Sequence, residues 1–428
     1  GAVAGITSTG GASTCTTTIQ GNDIRGIVHS VTGSSTHTYI TSTGTPLNNT
    51  VANNTFTNLN VNTTGSATFI NHGYSMPAAG SQTITNNAIV TAYNKPGAGG
   101  TVTCTTTGSS SPNGTTNTVT NNNFSNITVT GATGITGVNN SDGSGSSPSK
   151  NCTGNTFNNW TGGTSAILVI NYAYIGGTTS NISNNTLTNI TGQSTITGIQ
   201  IGSSFNGGNP LNVDNNIITN ITSTGTGGAV VGITCSNTSP AININGNAIS
   251  TLSSTAGAAV SGLVVSGATA TNVFKNSICN LSGSNASSSV NGILVSAGTT
   301  VNVFNNLVGD LRAPLANAAN PINGLNITGG TTVNASFNTV RIAATSSGAL
   351  FGSSAVSVSS TPTTTLRNNI FVNLGTANGA AFTAAHRRSS TTLTTYASAS
   401  NNNLLYAGTP GATNVIYFDG TNNDQTLA

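Results

Sequence analysis

Only 4% of the 428 residues are charged, against about a quarter in an ordinary soluble domain. Six Asp, no Glu and nine basic residues leave a net charge of +3, which provides no electrostatic footprint for nucleic acid or an anionic lipid surface. No stretch of 18 apolar residues exists, so no membrane-spanning helix is expected.

Taken from its start, the chain opens on Gly1-Ala2-Val3-Ala4-Gly5-Ile6, which lacks the basic region and apolar run of a signal peptide and reads as a strand of a coil already under way. A pattern follows that recurs to the far end: apolar, any, Asn or Gly, Asn, any, apolar, any, often Asn, apolar. It is loose at Ile19–Ile27, clear at Val51–Leu59, loose at Ile84–Tyr93, clear at Val119–Ile127 and loose at Cys152–Trp160. The copies at Ile182–Ile190 and Val213–Ile221 are nearly identical. Looser ones occupy Ile244–Leu252, Val273–Leu281, Val303–Leu311 and Ala335–Ala343, a clear one Leu366–Leu374, and a degenerate one surrounds Asn403.

The fourth position marks each copy: Asn22, Asn54, Asn87, Asn122, Asn155, Asn185, Asn216, Asn247, Asn276, Asn306, Asn338, Asn369 and Asn403. The twelve intervals run from 29 to 35 residues, (403 − 22)/12 or about 32 on average. Such a period is the signature of a solenoid, in which each unit buries its apolar face against its neighbours. Most intervals also hold a Gly-led phrase such as Gly198-Ile199-Gln200-Ile201, Gly232-Ile233-Thr234-Cys235 or Gly292-Ile293-Leu294-Val295. Every apolar element has period two and spans three to five residues, so each interval contains about three short strands. A helical solenoid fails on composition, because Thr, Ser, Asn and Gly dominate where helix formers are needed.

The expected fold is therefore all-β: a right-handed parallel β-helix of about 13 coils of about 32 residues, three short strands per coil. Coils stacked ~4.8 Å apart would make a rod of roughly 60 Å. Equivalent residues then form columns, with Ile, Val, Leu and Phe inside. The marker Asn is expected at a corner, where its tolerance of left-handed backbone and its stackable amide both count. On this repeat the chain resembles right-handed parallel β-helices of the pectate-lyase-like type. It is similar in particular to the Asn/Thr/Gly-rich repeat regions of large secreted and surface proteins of Bacteroidota-type bacteria. The resemblance covers the whole chain and implies an extracellular or cell-surface location.

One domain, 1–428, is expected. Residues 1–160 form irregular coils with Gly/Ser/Pro-rich insertions, the longest at 141–150; residues 161–375 form regular coils; residues 376–428 form loosened ones, with 380–388 and 391–398 leaving the coil. Neither end carries a polar cap, so the chain is expected to be a segment of a longer one whose exposed strand edges could stack end to end. The five cysteines, Cys15, Cys104, Cys152, Cys235 and Cys279, have no metal-ligand spacing and read as buried free thiols, with a disulfide open only for Cys15.

Carbohydrate-cleaving β-helices set carboxylates together on one outer sheet. Here Asp23, Asp214 and Asp310 fall in different coils and registers, roughly 29 Å and 14 Å apart along the axis. Asp142 lies in a Gly/Ser insertion, and Asp419 and Asp424 near the end. No catalytic, cofactor or metal residues are therefore assigned. His29, His37 and His72 could reach one face but read as loop residues, and His386-Arg387-Arg388 as a solvated loop or a contact for an anionic glycan or partner. Asp310 and Arg312, with Arg341, would form a surface ion pair of little worth. Lys275, Arg341 and Arg367 form no stripe. Trp160, Phe56, Phe124, Phe157, Phe274 and Phe304 read as stacked core or turn ladders. A Thr array of the ice-binding kind is not expected, because Thr101–Thr103 and Thr105–Thr107 do not recur at the period. What remains is a non-catalytic structural or adhesive segment of a surface or filament-forming protein. Its partners would be copies of itself, neighbouring segments of the same protein, or glycans. A carbohydrate-active enzyme or glycan-binding module is the alternative.

Overall fold

The computed structural model describes all residues except 141, 143–147, 174–179, 203–209, 237–240 and 427–428. Among the described residues there is no helix; the chain is 59% strand, a right-handed-type parallel β-solenoid of about 13 turns of roughly 31 residues with three sheets of strands per coil. It divides into two compact units, Gly1–Ile217 and Ile218–Ala428.

In the first unit the Gly-led strands pair in the order Val3–Ser8, His37–Ser42, Ala67–His72, Thr101–Thr107, Gly134–Asn140, Ile167–Ala173 and Ile196–Gly202. The strands before each marker form a second sheet, from Thr16–Gln20 through Ser81–Thr85 to Leu211–Asp214; after it comes a third, from Val28–Gly33 to Thr186–Gly192, with Asp23–Arg25, Thr55–Thr57 and Ala88–Ile89 forming a small sheet of their own. Side chains alternate across each strand. Inward positions therefore stack as columns three before the marker (Ile19, Val51, Ile84, Val119, Cys152, Ile182, Val213) and two after it (Ile24, Phe56, Ile89, Phe124, Phe157, Leu187), all buried.

The second unit repeats the plan. Its Gly-led sheet runs Val230–Cys235, Ala259–Ser266, Ser289–Ala297, Ala318–Ile327, Phe351–Val358, Thr383–Arg388 and Asn414–Phe418, with Asn423–Asp424 added antiparallel. Thr383–Arg388 pairs with Phe351–Val358 in the regular register, so the expectation that 380–388 leaves the coil is corrected. In this sheet the glycine column is a packing device: a Cβ at Gly292 or Gly324 would lie 2.3 or 2.1 Å from a γ-methyl of Val308 or Val340 on the strand after the marker.

The corner also needs correction. Left-handed backbone lies one residue before every marker, at Gly21, Asn53, Asn86, Asn121, Gly154, Asn184 and Asn215, then at Gly246, Lys275, Asn305, Phe337, Asn368 and Asn402. The marker itself turns inward. A second left-handed corner falls four after the marker at Gly26, Asn58, Asn126, Asn159, Asn189, Asn220, Thr251, Asn280 and Asp310. The repeat's "Asn or Gly" and "often Asn" positions are thus its two corners, where those residues cost least. Phe337 (φ 57°) breaks the rule and is 57% exposed, so its side chain contributes little packing. Phe337→Asn is expected to raise stability by about 1 kcal/mol, seen as a higher urea midpoint with an unchanged slope.

Candidate functional site

Each marker amide makes the same bonds. In the first unit the backbone N and Nδ2 of Asn22, Asn54, Asn87, Asn122, Asn155 and Asn185 donate at 2.9–3.1 Å to Oδ1 of the marker in the next coil, ending on Asn216. Nδ2 also donates to the carbonyl three before the previous marker, as Asn54 does to Ile19 and Asn185 to Cys152. In the second unit the chain Asn247, Asn276, Asn306, Asn338, Asn369, Asn403 repeats this at 2.9–3.1 Å. Asn is required because only an amide both accepts twice and donates twice along such a column. Buried backbone donors at the corner are satisfied by the neighbouring coil.

The outward faces are polar and regular. Thr18, Thr50, Thr83 and Thr118 stand in register on one sheet, and Thr38, Thr68, Thr103 and Thr136 on another. Single Thr columns thus recur, whereas the triplets singled out do not, as expected: Thr101 and Thr105 stand level with Gly134 and Val138, Thr105 and Thr107 point inward, and only Thr103 joins a column. In the second unit Asn243, Asn272, Asn302 and Asn334 form an outer amide ladder at 2.9–3.0 Å. Phe274 and Phe304 stack beside it, nearly parallel with centroids 4.8 Å apart, so the pair shows its ring edges to solvent. Phe56, Phe124, Phe157 and Trp160 are in the core, the indole donating to the Phe124 carbonyl at 2.7 Å.

Several ionisable groups sit elsewhere than expected. Asp142 is buried and pairs with Lys150 Nζ at 2.9 Å. Lys150 lies in the inward column after Asn49, Gln82 and Asn117, and burial pulls its amine down to about 8. Most of the expected 141–150 insertion, positions 141 and 143–147, lies outside the described residues. The histidines are not loop residues. His37 and His72 are fully buried in Gly-led strands, His37 beside His29 with centroids 5.6 Å apart. His37 stands level with Ala67, five residues before His72 and roughly 16 Å from it along the strand, so the three form no cluster. Burial lowers His72 to about 3. Asp23 pairs with Arg25, and Asp310 with Arg312 at 3.5 Å on the surface. All five cysteines are free thiols; Cys15 is only half-buried and Cys279 is exposed rather than buried, the latter because Ile278 and Leu281 take the inward positions of its strand. The described residues contain no group of three or more metal-ligating side chains and no helix long and apolar enough to cross a membrane.

His386-Arg387-Arg388 departs furthest from expectation. It is strand, not solvated loop: His386 continues the core column Ile233, Leu263, Ile293, Leu325, Val356, and Arg388 the column Cys235, Val265, Val295, Ile327, Val358. Arg387 faces outward, its Nε donating to Ser354 Oγ at 2.9 Å and its guanidinium 4.6 Å from the Phe418 ring centre. The two inward groups open on a cavity of about 500 Å³ whose walls include Leu393, Tyr396, Leu405, Ile416 and Tyr417, with Asp419 and Asp424 also lining it. Asp419 is held by N–H donors of Thr421 and Asn422. Burial, then the Arg388 charge, lowers His386 to about 3. Periodicity could have found this site: two titratable residues fall on positions that are apolar in the preceding coils.

Comparison with known proteins finds no matching family model, no matching curated protein and no matching solved structure.

Proposed function

We propose that this chain is a non-catalytic, extracellular structural or adhesive segment of a surface or filament-forming protein. It would be of the same kind as the Asn/Thr/Gly-rich, pectate-lyase-like β-helical repeats of Bacteroidota surface proteins. The observation that carries this reading is the regular outer columns of Thr and Asn, which offer hydrogen bonds with almost no charge. Such faces suit lateral packing against copies, neighbouring segments or glycans, where a wet polar contact needs no steering field. The dispersed carboxylates Asp23, Asp214 and Asp310 support the non-catalytic part, Asp23 and Asp310 each lying beside an Arg of its own strand and Asp214 accepting from Asn215 Nδ2.

Antibodies against the chain should label intact cells of the organism that makes it, and external protease should remove the label. Labelling only after the cells are opened overturns the location. The convergence of Asp419 and Asp424 on one cavity favours a second reading, a carbohydrate-active enzyme or glycan-binding module. Release of new reducing ends or unsaturated products from a polysaccharide panel would establish the enzyme and end the structural proposal.

A further inference from the structure

A buried cation needs a partner, and Arg388 lacks one. It is 2% exposed, in a column otherwise filled by Val, Ile and Cys. Nη2 donates to the Thr392 carbonyl at 2.8 Å and Thr395 Oγ1 at 3.4 Å. Nε and Nη1, which carry three of the five guanidinium N–H groups, have no acceptor. No carboxylate lies within ion-pair distance of Arg388 among the described residues. The guanidinium carbon lies 5.4 Å from the Tyr396 ring centre, which fixes the plane without neutralising the charge. Leaving charged donors buried and unpaired costs several kcal/mol.

We propose that the cavity beside Arg388 is a binding site for a small organic monocarboxylate with an apolar body. Its carboxylate accepts from the free guanidinium N–H groups, the bond type for which Arg is best shaped. Its body lies against Leu393, Leu405, Ile416 and the rings of Tyr396 and Tyr417. About 500 Å³ is an ordinary size for a small-molecule pocket, as is an apolar lining with few polar groups. Asp419 and Asp424 set the charge limit: they repel a dianion such as phosphate more than a monoanion. This site is independent of the structural role proposed above.

The test titrates the intact chain, methyl-labelled at Leu and Ile, with 3-phenylpropionate, with the isosteric neutral 3-phenylpropanamide, and with inorganic phosphate. The carboxylate should shift the methyls of Leu393, Leu405 and Ile416 saturably, with the amide weaker by about tenfold or more and phosphate weaker still. Arg388→Gln should erase the difference between acid and amide. Should that variant fail to fold, Leu393→Glu carries the test: Leu393 is 58% exposed, and the added charge should weaken the acid several-fold while sparing the amide. Equal binding of acid and amide, tighter binding of phosphate, shifts centred elsewhere, or no binding at millimolar concentration would each overturn the proposal.

Discussion

Asn306→Ala is expected to lower stability by roughly 3–5 kcal/mol, far more than an exposed Asn. Asn306 Oδ1 accepts from Asn276 N and Nδ2, and its own Nδ2 donates to Asn338 Oδ1 at 3.0 Å and to the Val273 carbonyl at 2.8 Å. Alanine therefore strands two donors in one coil and the Val273 carbonyl away from water, and leaves Asn338 Oδ1 with only the backbone N–H of residue 306 as its donor. The penalty for buried groups left without partners exceeds the net value of the bonds themselves. Asn306→Asp separates the causes: it keeps the acceptor for Asn276 but sets an anion against Asn338 Oδ1, and should be no better tolerated than alanine. Asn302→Ala is the control. Asn302 makes similar amide bonds to Asn272 and Asn334 at 2.9 and 3.0 Å, but on the outer face where water can replace them, so its cost should be about 0.5 kcal/mol or less. Urea denaturation of the three variants measures the ranking.

The second large effect is loss of stability in acid. His72 and His386 are wholly buried, and burial holds both neutral down to about pH 3, against 6.5 in an unfolded chain. Between those values the unfolded state binds more protons than the folded one, so stability falls as pH drops below 6.5 and the loss is complete near 3. Each histidine contributes on the order of 5 kcal/mol over that window. The direction is opposite to that of a histidine gaining an anionic partner. His72→Phe should flatten the acid limb by removing one of the two groups; Tyr74 lies beside it at a centroid distance of 5.5 Å and offers an apolar ring to pack on. Thermal midpoints between pH 7 and pH 4 provide the check, and equal slopes in wild type and His72→Phe would contradict it.

Much of the architecture was legible because one chemical demand repeats. A buried amide column tolerates only Asn, so the marker recurs without exception, while the apolar positions around it exchange Ile, Val, Leu, Phe and Cys freely. The corner was misplaced by one residue because Asn fills both adjacent positions in most coils, and periodicity alone does not separate an amide turned inward from a backbone turned left-handed. The glycines at Gly21, Gly154 and Gly246 were the available signal, since they replace Asn only where the corner lies.

The ionic groups were harder to place. Asp142 looked like an insertion residue because its partner, Lys150, occupies an inward slot that Asn49, Gln82 and Asn117 fill with neutral polar groups in earlier coils. His386 and Arg388 looked like solvated charge because composition says nothing of strand phase. Aligning Thr383–Arg388 under Phe351–Val358 would have put both inside.

The amide ladder is tested most directly by hydrogen exchange. The backbone N–H groups of Asn54, Asn87, Asn122 and Asn155, and of Asn276, Asn306 and Asn338, each donate to the side-chain oxygen of the next marker. They should be among the slowest-exchanging amides of the chain, and Asn306→Ala should release Asn276 first, because Asn306 supplies its acceptor. If the marker amides exchange as fast as the Gly/Ser turn at 108–114, the ladder does not hold the coils together.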